Sequence, residues 1–172
     1  HTRSFHVTGV QTCALPICET FKPQLLTMLQ GSDFFGDMPP ADVEALTRYV
    51  EAFSAEAGTV LFREGDRGGF MCLIIEGGAE IHKQDHQYGD KLVGTVEPGK
   101  SIGEMALVDG DQRSATCICP EASTLVMLTR EQFVRLIREA PSLSVNILLK
   151  LVTLMSRRLR QTSGQLVDHL HA

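Results

Sequence analysis

At 172 residues the chain has room for one domain with a proper core and hardly for two. Sixteen Lys and Arg against 21 Asp and Glu give a net charge of −5, which argues against intrinsic nucleic-acid binding; 43% hydrophobic and 22% charged residues describe an ordinary globular protein. No apolar run approaches the ~18 residues of a membrane span. The five cysteines suit neither an even disulfide framework nor a zinc-ligand spacing, so a reduced, cytoplasmic setting without metal or cofactor is expected.

The first seventeen residues, HTRSFHVTGVQTCALPI, have no helical period, no strand alternation and no signal-peptide layout. Val7 to Ile17 reads instead as the translation of a common sequencing-adapter oligonucleotide, and His1-Thr2-Arg3 matches the adapter stretch just upstream. Residues 1–17 are therefore taken as non-native, disordered read-through; a natural disordered tail is the plainer alternative. Without them four cysteines remain, and the charge balance is 15 − 21 = −6. The authentic sequence is expected to begin at Cys18 or inside a longer gene.

Glu19 to Gln30 is weakly amphipathic, with Leu25, Leu26 and Leu29 at helical spacing, and Ser32 to Gly36 breaks it. Pro39-Pro40 opens a second helix predicted over Ala41 to Val50, with Val43, Leu46 and Val50 on one face. Short apolar or β-branched runs then alternate with Gly, Asp and Pro: Thr59–Phe62, Phe70–Ile75, Ala79–Lys83, Lys91–Val96, Ala115–Cys119 and Leu125–Leu128. Six short strands with turn chemistry between them predict an antiparallel barrel or roll. Thr129 begins a helix with Glu131 in its first turn, and Pro141 ends it. Ser142 is expected to cap a long helix running to about Asp168. Along it Val145, Leu148, Val152, Met155, Leu159, Thr162, Leu166 and His169 recur in steps of three and four, beside a second apolar row at Ile147, Leu151 and Leu154. That seam predicts a parallel homodimer through Val145, Leu148, Val152, Met155, Leu159 and Leu166; one wide apolar face buried in a monomer is the alternative. Three regions follow: 1–17, a roll with its N-terminal helices over 18–140, and the long helix over 141–172.

The stretch that carries chemistry is Gly99 to Thr116, GKSIGEMALVDGDQRSAT. Gly103 permits close backbone approach to a ligand. Glu104 to Leu107 suit one helical turn whose N–H groups face an anion. Arg113 supplies a planar fork for two phosphate oxygens, and Ser114 adds a hydroxyl. Glu104 would repel a bare phosphate, so it calls for a hydroxyl donor such as a sugar. A nucleotide satisfies the whole group, although a Glu104–Arg113 ion pair merely holding a loop would use the same residues.

The run Gly103, Glu104, Met105, Ala106, Leu107, Arg113, Ser114, Ala115 and Thr116 resembles the phosphate-binding cassette of the cyclic-nucleotide-binding domain family. Arg63-Glu64-Gly65-Asp66, Leu73 to Gly77 and Ser156-Arg157-Arg158-Leu159 match further landmarks, so the likeness runs from about Ser32 onward. It departs at Gln112, where a Pro often precedes the Arg, and at Cys117 and Cys119, which replace Val-type residues. The resemblance implies a mainly β fold: an antiparallel β-roll or jelly roll with flanking helices and a long C-terminal helix. It implies a non-enzymatic sensor that binds cAMP or cGMP, with Glu104 on the ribose 2′-hydroxyl and Arg113, Ser114 and the Gly103 region on the cyclic phosphate. Met105, Ala106 and Ala115 complete the implied cassette. Ser114, rather than the Thr typical of cGMP selectivity, leans toward cAMP.

Met155 to Ser163 looks most like the long helix of the Crp/Fnr branch, which implies that Thr162 and Ser163 meet the adenine ring; ordinary solvated helix residues are the alternative. A Crp/Fnr regulator needs ~60 further residues for a DNA reader, so direct DNA binding by these 172 residues is not expected. The +5 of Arg130 to Arg160 (seven basic residues, with Glu131 and Glu139) is read as a solvated helix face. Cys117 and Cys119 are expected to fill space on one face of a strand. A metal shared by His82 and His86 is rejected, and no catalytic constellation is found.

Overall fold

The computed structural model describes residues 22–85 and 89–170. The adapter-like segment, Cys18 and the expected helix residues before Lys22 lie outside them, as do His86, His171 and the side chain of His169. The chain divides into two compact units, with the boundary between Arg135 and Leu136.

In the first unit, α1 (Lys22–Gln30) buries Leu25 and Leu29, as its spacing requires. Pro39 and Pro40 start α2 (Pro40–Leu46), where a fixed φ suits the first helical turn. This helix is shorter than the Ala41–Val50 stretch expected. Thr47 Oγ1 donates to Glu44 O, and the Thr47, Arg48 and Tyr49 amides turn back three residues, which uses up the backbone donors that would continue it. Val50 is buried nonetheless, just before a strand.

Eight strands follow: β1 (Glu51–Ala55), β2 (Val60–Phe62), β3 (Phe70–Glu76), β4 (Ala79–Asp85), β5 (Gly89–Val96), β6 (Ser101–Ile102), β7 (Thr116–Ile118) and β8 (Ser123–Thr129). They form two antiparallel four-stranded sheets, ordered β1-β8-β3-β6 and β2-β7-β4-β5. The expected roll is therefore present, with two strands more than the six read from sequence. Phe53, Leu61, Phe62, Cys72, Ile74, Ile102, Cys117, Cys119 and Leu125 from both sheets share one core. Cys117 and Cys119 are fully buried, and burial pushes the thiols of Cys72, Cys117 and Cys119 up, that of Cys117 to about 12. Cys117 and Cys119 are apolar filler, as expected, and Cys72 joins them in the core. A short helix, α3 (Glu104–Asp109), stands between β6 and β7.

Thr129 Oγ1 accepts from Gln132 N at 3.2 Å, capping α4 (Arg130–Glu139) as the sequence indicates. In the second unit, α5 runs over Pro141–Leu170. Pro141, not Ser142, opens it; proline is suited to the first helical position because its missing N–H has no intrahelical acceptor there. Along α5, Leu143, Ile147 and Leu151 are buried, whereas Val145, Val152, Leu159 and Leu166 are 53–68% exposed. Leu148 and Met155 are half-buried.

Candidate functional site

The cassette is pinned at both ends by hydrogen bonds that sequence proximity does not provide. The Arg63–Asp66 turn is closed by Arg63 N donating to Asp66 Oδ2 at 3.0 Å. It then zips onto the cassette loop: Gly65 N donates to Arg113 O at 2.9 Å, Arg113 N to Asp66 O at 2.7 Å, and Gly68 N to Asp111 O at 3.0 Å. Thr116, the last motif residue, accepts from Glu64 N at 2.9 Å. Ala106 packs so closely on Gly68 that a Cβ there would lie 2.0 Å from its methyl. Ala106 thus serves to seat α3 against the turn.

Gly103 precedes α3 with φ 76°, a left-handed conformation that favours glycine. A Cβ at this position would also lie 2.5 Å from Arg113 Nη1 and 3.1 Å from Phe70 O. Both backbone conformation and space therefore demand glycine. At the other end of α3, Gly110 takes φ 71°, and Arg130 Nη1 donates to Leu107 O at 2.8 Å and Val108 O at 2.7 Å. A cation on the last carbonyls satisfies orphan acceptors and complements the helix dipole. The motif does not include Arg130; its position 23 residues from Leu107 hides it from any local pattern.

Arg113 is 4% exposed. Its Nη1 donates to Gly103 O at 3.2 Å and its Nη2 to Phe70 O at 2.8 Å. The guanidinium carbon sits 4.0 Å from the ring centroid of Phe62 and 4.4 Å from that of Phe70. No carboxylate stands within ion-pair distance of it among the described residues. Burial lowers its pKa, opposed by Cys72, Cys117 and Asp66; an arginine keeps its proton regardless. The site thus encloses a cation in apolar surroundings with donors still to spend, which suits an anion.

Glu104 opens α3 and is 1% exposed. Gly103, Glu104, Ala106 and Arg113 are thus gathered around the start of α3 and the interior of the roll. Ala115 is half-buried, whereas Ser114 and Met105 are exposed, Met105 at 55%. Thr162 and Ser163 are exposed positions of α5, in the second unit. His82 is held between Glu80 Oε2 at 3.0 Å and Asp90 Oδ2 at 3.2 Å. Among the described residues no group of three His, Cys, Asp or Glu side chains is arranged to hold a metal, and no helix is long and apolar enough to cross a membrane.

The family model for the cyclic nucleotide-binding domain matches residues 52–140, and the chain belongs to that family of sensor and regulatory modules. It is 29% identical over 138 residues to the cyclic AMP receptor protein of Thermus thermophilus, covering 80% of this chain and 62% of that protein. The chain thus spans about three fifths of the length of the curated relatives it matches first. A crystal structure of a cyclic nucleotide-binding domain from Methylobacillus flagellatus superposes with a TM-score of 0.82 at 25% identity, over 98% of this chain and 96% of that one. The regulatory domain of Toxoplasma gondii PKA, crystallised with cAMP, is 29% identical with a TM-score of 0.60, over 69% of this chain and 45% of that one.

Proposed function

We propose that this chain is a cAMP-binding sensor, with cGMP as the second ligand to test, and that it has no catalytic activity of its own. One observation carries the reading: Arg113 is a buried guanidinium held on backbone carbonyls and aromatic faces, with no carboxylate in ion-pair range among the described residues. A cyclic phosphate supplies the missing charge as a bidentate or single charge-assisted contact. Glu104 would then accept from the ribose 2′-hydroxyl. Gly103 and Ser114 would donate to phosphate oxygens, while Met105, Ala106 and Ala115 shape the cassette around them.

In this reading the roll with its N-terminal helices, 18–140, binds the ligand and the helix over 141–172 transmits it. Thr162 and Ser163 would meet the adenine ring, and the ligand would shift the population toward the state in which α5 closes over the base. The row Val145, Leu148, Val152, Met155, Leu159 and Leu166, four of its members exposed and Leu148 and Met155 half-buried, supports a parallel homodimer, since such a row is costly to leave in water. Base contacts on the pairing helix would couple ligand affinity to dimerisation. The module would work in the cytoplasm, without itself binding DNA. A second reading, the sensory half of a Crp/Fnr-type transcriptional regulator, is favoured by the 62% share of the Thermus protein that the match covers.

Titration calorimetry of the chain with cAMP and cGMP tests the ligand claim. Saturable heat with cAMP, stronger than with cGMP, is the expected outcome. No heat with either at millimolar concentration would leave a ligand-free dimerisation scaffold.

A further inference from the structure

The two rings against Arg113 come from opposite sheets: Phe62 ends β2 and Phe70 begins β3. They approach each other edge-on, with centroids 6.1 Å apart and planes at 69°. A guanidinium carbon 4.0 Å from one centroid and 4.4 Å from the other occupies the notch between them. We infer that Phe62 and Phe70 are positioning residues for ligand recognition, holding the Arg113 guanidinium ready for an anion without neutralising it.

Other groups could hold a buried guanidinium. A carboxylate would fix it firmly, but would cancel its charge and compete with any incoming phosphate for the same N–H groups. A ring face attracts the cation through its quadrupole and carries no net charge. It takes N–H groups only as weak π contacts, so the planar fork keeps its donors available for stronger acceptors. Two of the five are spent on neutral carbonyls, Gly103 O and Phe70 O. Phe70 therefore acts twice, with its ring on the guanidinium and its carbonyl on Nη2. The rings also exclude water from one side of the charge, which strengthens any ion contact made on the other. This inference rests on the reading of Arg113 as the phosphate contact.

The test is cAMP affinity by calorimetry for Phe62→Leu, Phe70→Leu and Phe70→Tyr, each also built on Arg113→Ala. Leucine keeps apolar bulk and removes the ring face, so each Leu variant should bind cAMP on the order of tenfold more weakly than the unmodified chain. Phe70→Tyr keeps a cation-binding face at a half-buried position and should retain the original affinity. On Arg113→Ala the same leucine substitutions should cost nothing further, because their effect runs through the guanidinium. Losses that persist on the Arg113→Ala background would assign the rings a merely structural role and overturn the inference. So would leucine variants that bind like the unmodified chain, or a Phe70→Tyr as weak as Phe70→Leu. An unmodified chain that binds neither cAMP nor cGMP would overturn the nucleotide reading, and the inference with it. If Phe62→Leu, at a position only 8% exposed, fails to fold, the Phe70 pair carries the same comparison alone.

Discussion

The roll and the long helix each contain residues on the wrong side of the usual partition, and in opposite senses. In the roll the misplaced group is a charge: Arg113 lies 4% exposed among phenylalanines and thiols. In α5 it is an apolar row, with Val145, Val152, Leu159 and Leu166 more than half exposed. A buried charge and a water-facing apolar stripe both raise the free energy of the isolated chain. In the proposed reading each would be relieved by something complementary, an anion for the first and a second apolar helix for the second. The proposed sensor is thus marked by the places where its own folding is left energetically incomplete.

If that comparison holds, removing the charge abolishes one complementarity and leaves the other. Arg113→Ala should weaken cAMP binding by on the order of 2–5 kcal/mol, the range for a desolvated ionic contact. Sedimentation should show the same assembly state for this variant as for the original chain. An unchanged calorimetric affinity would mean that the phosphate sits elsewhere.

Breaking the helix side needs the reciprocal change. Glutamates at Met155 and Leu159 place four like charges at the seam of a parallel pair, two from each copy, where the original side chains would be apolar knobs. The double variant should sediment as a monomer and still bind cAMP, though more weakly if base contacts and pairing are coupled. A dimer that persists would show that the chain pairs through another surface.

Much of this was legible in the chain because the relevant signals are local. β2, β3, β4, β5, β7 and β8 each stand on a β-branched or apolar run bounded by Gly, Asp or Pro. The cassette residues from Gly103 to Thr116 are near neighbours in sequence. β1 is different: Glu51-Ala-Phe-Ser-Ala55 has weak strand propensity and is made a strand by its register on β8, Glu51 against Met127 through Ala55 against Ser123. β6 is two residues long and exists because Ser101 and Ile102 pair with Leu73 and Cys72. The supports of the site were hidden for the same reason. Phe62 lies 51 positions before Arg113 (113 − 62), Phe70 lies 43 before it, and Arg130 lies beyond the motif. A motif shows the residues proposed to meet the ligand, whereas those that hold them become visible only after folding.

The smallest expected effect concerns the apolar half of the comparison inside the roll, the thiols packed near Arg113. Burial raises the Cys117 pKa from 9.0 to about 12, so in the folded state this thiol keeps its proton where an unfolded chain has lost it. The folded state then binds more protons than the unfolded state between those values, and stability falls as pH rises through that window. The contribution is fully present below pH 9 and is lost as pH climbs toward 12. Cys117→Ala removes this titration while adding a small, pH-independent cavity cost. Urea unfolding at intervals from pH 8 to 11 should therefore give a lower stability for the variant at pH 8, and a slope against pH shallower by up to about 1.4 kcal/mol per unit. Cys72 and Cys119, raised by the same cause, keep part of the slope in both proteins. Parallel curves would mean that the Cys117 thiol ionises freely in the folded chain, and that water reaches the side of the core on which the enclosed arginine depends.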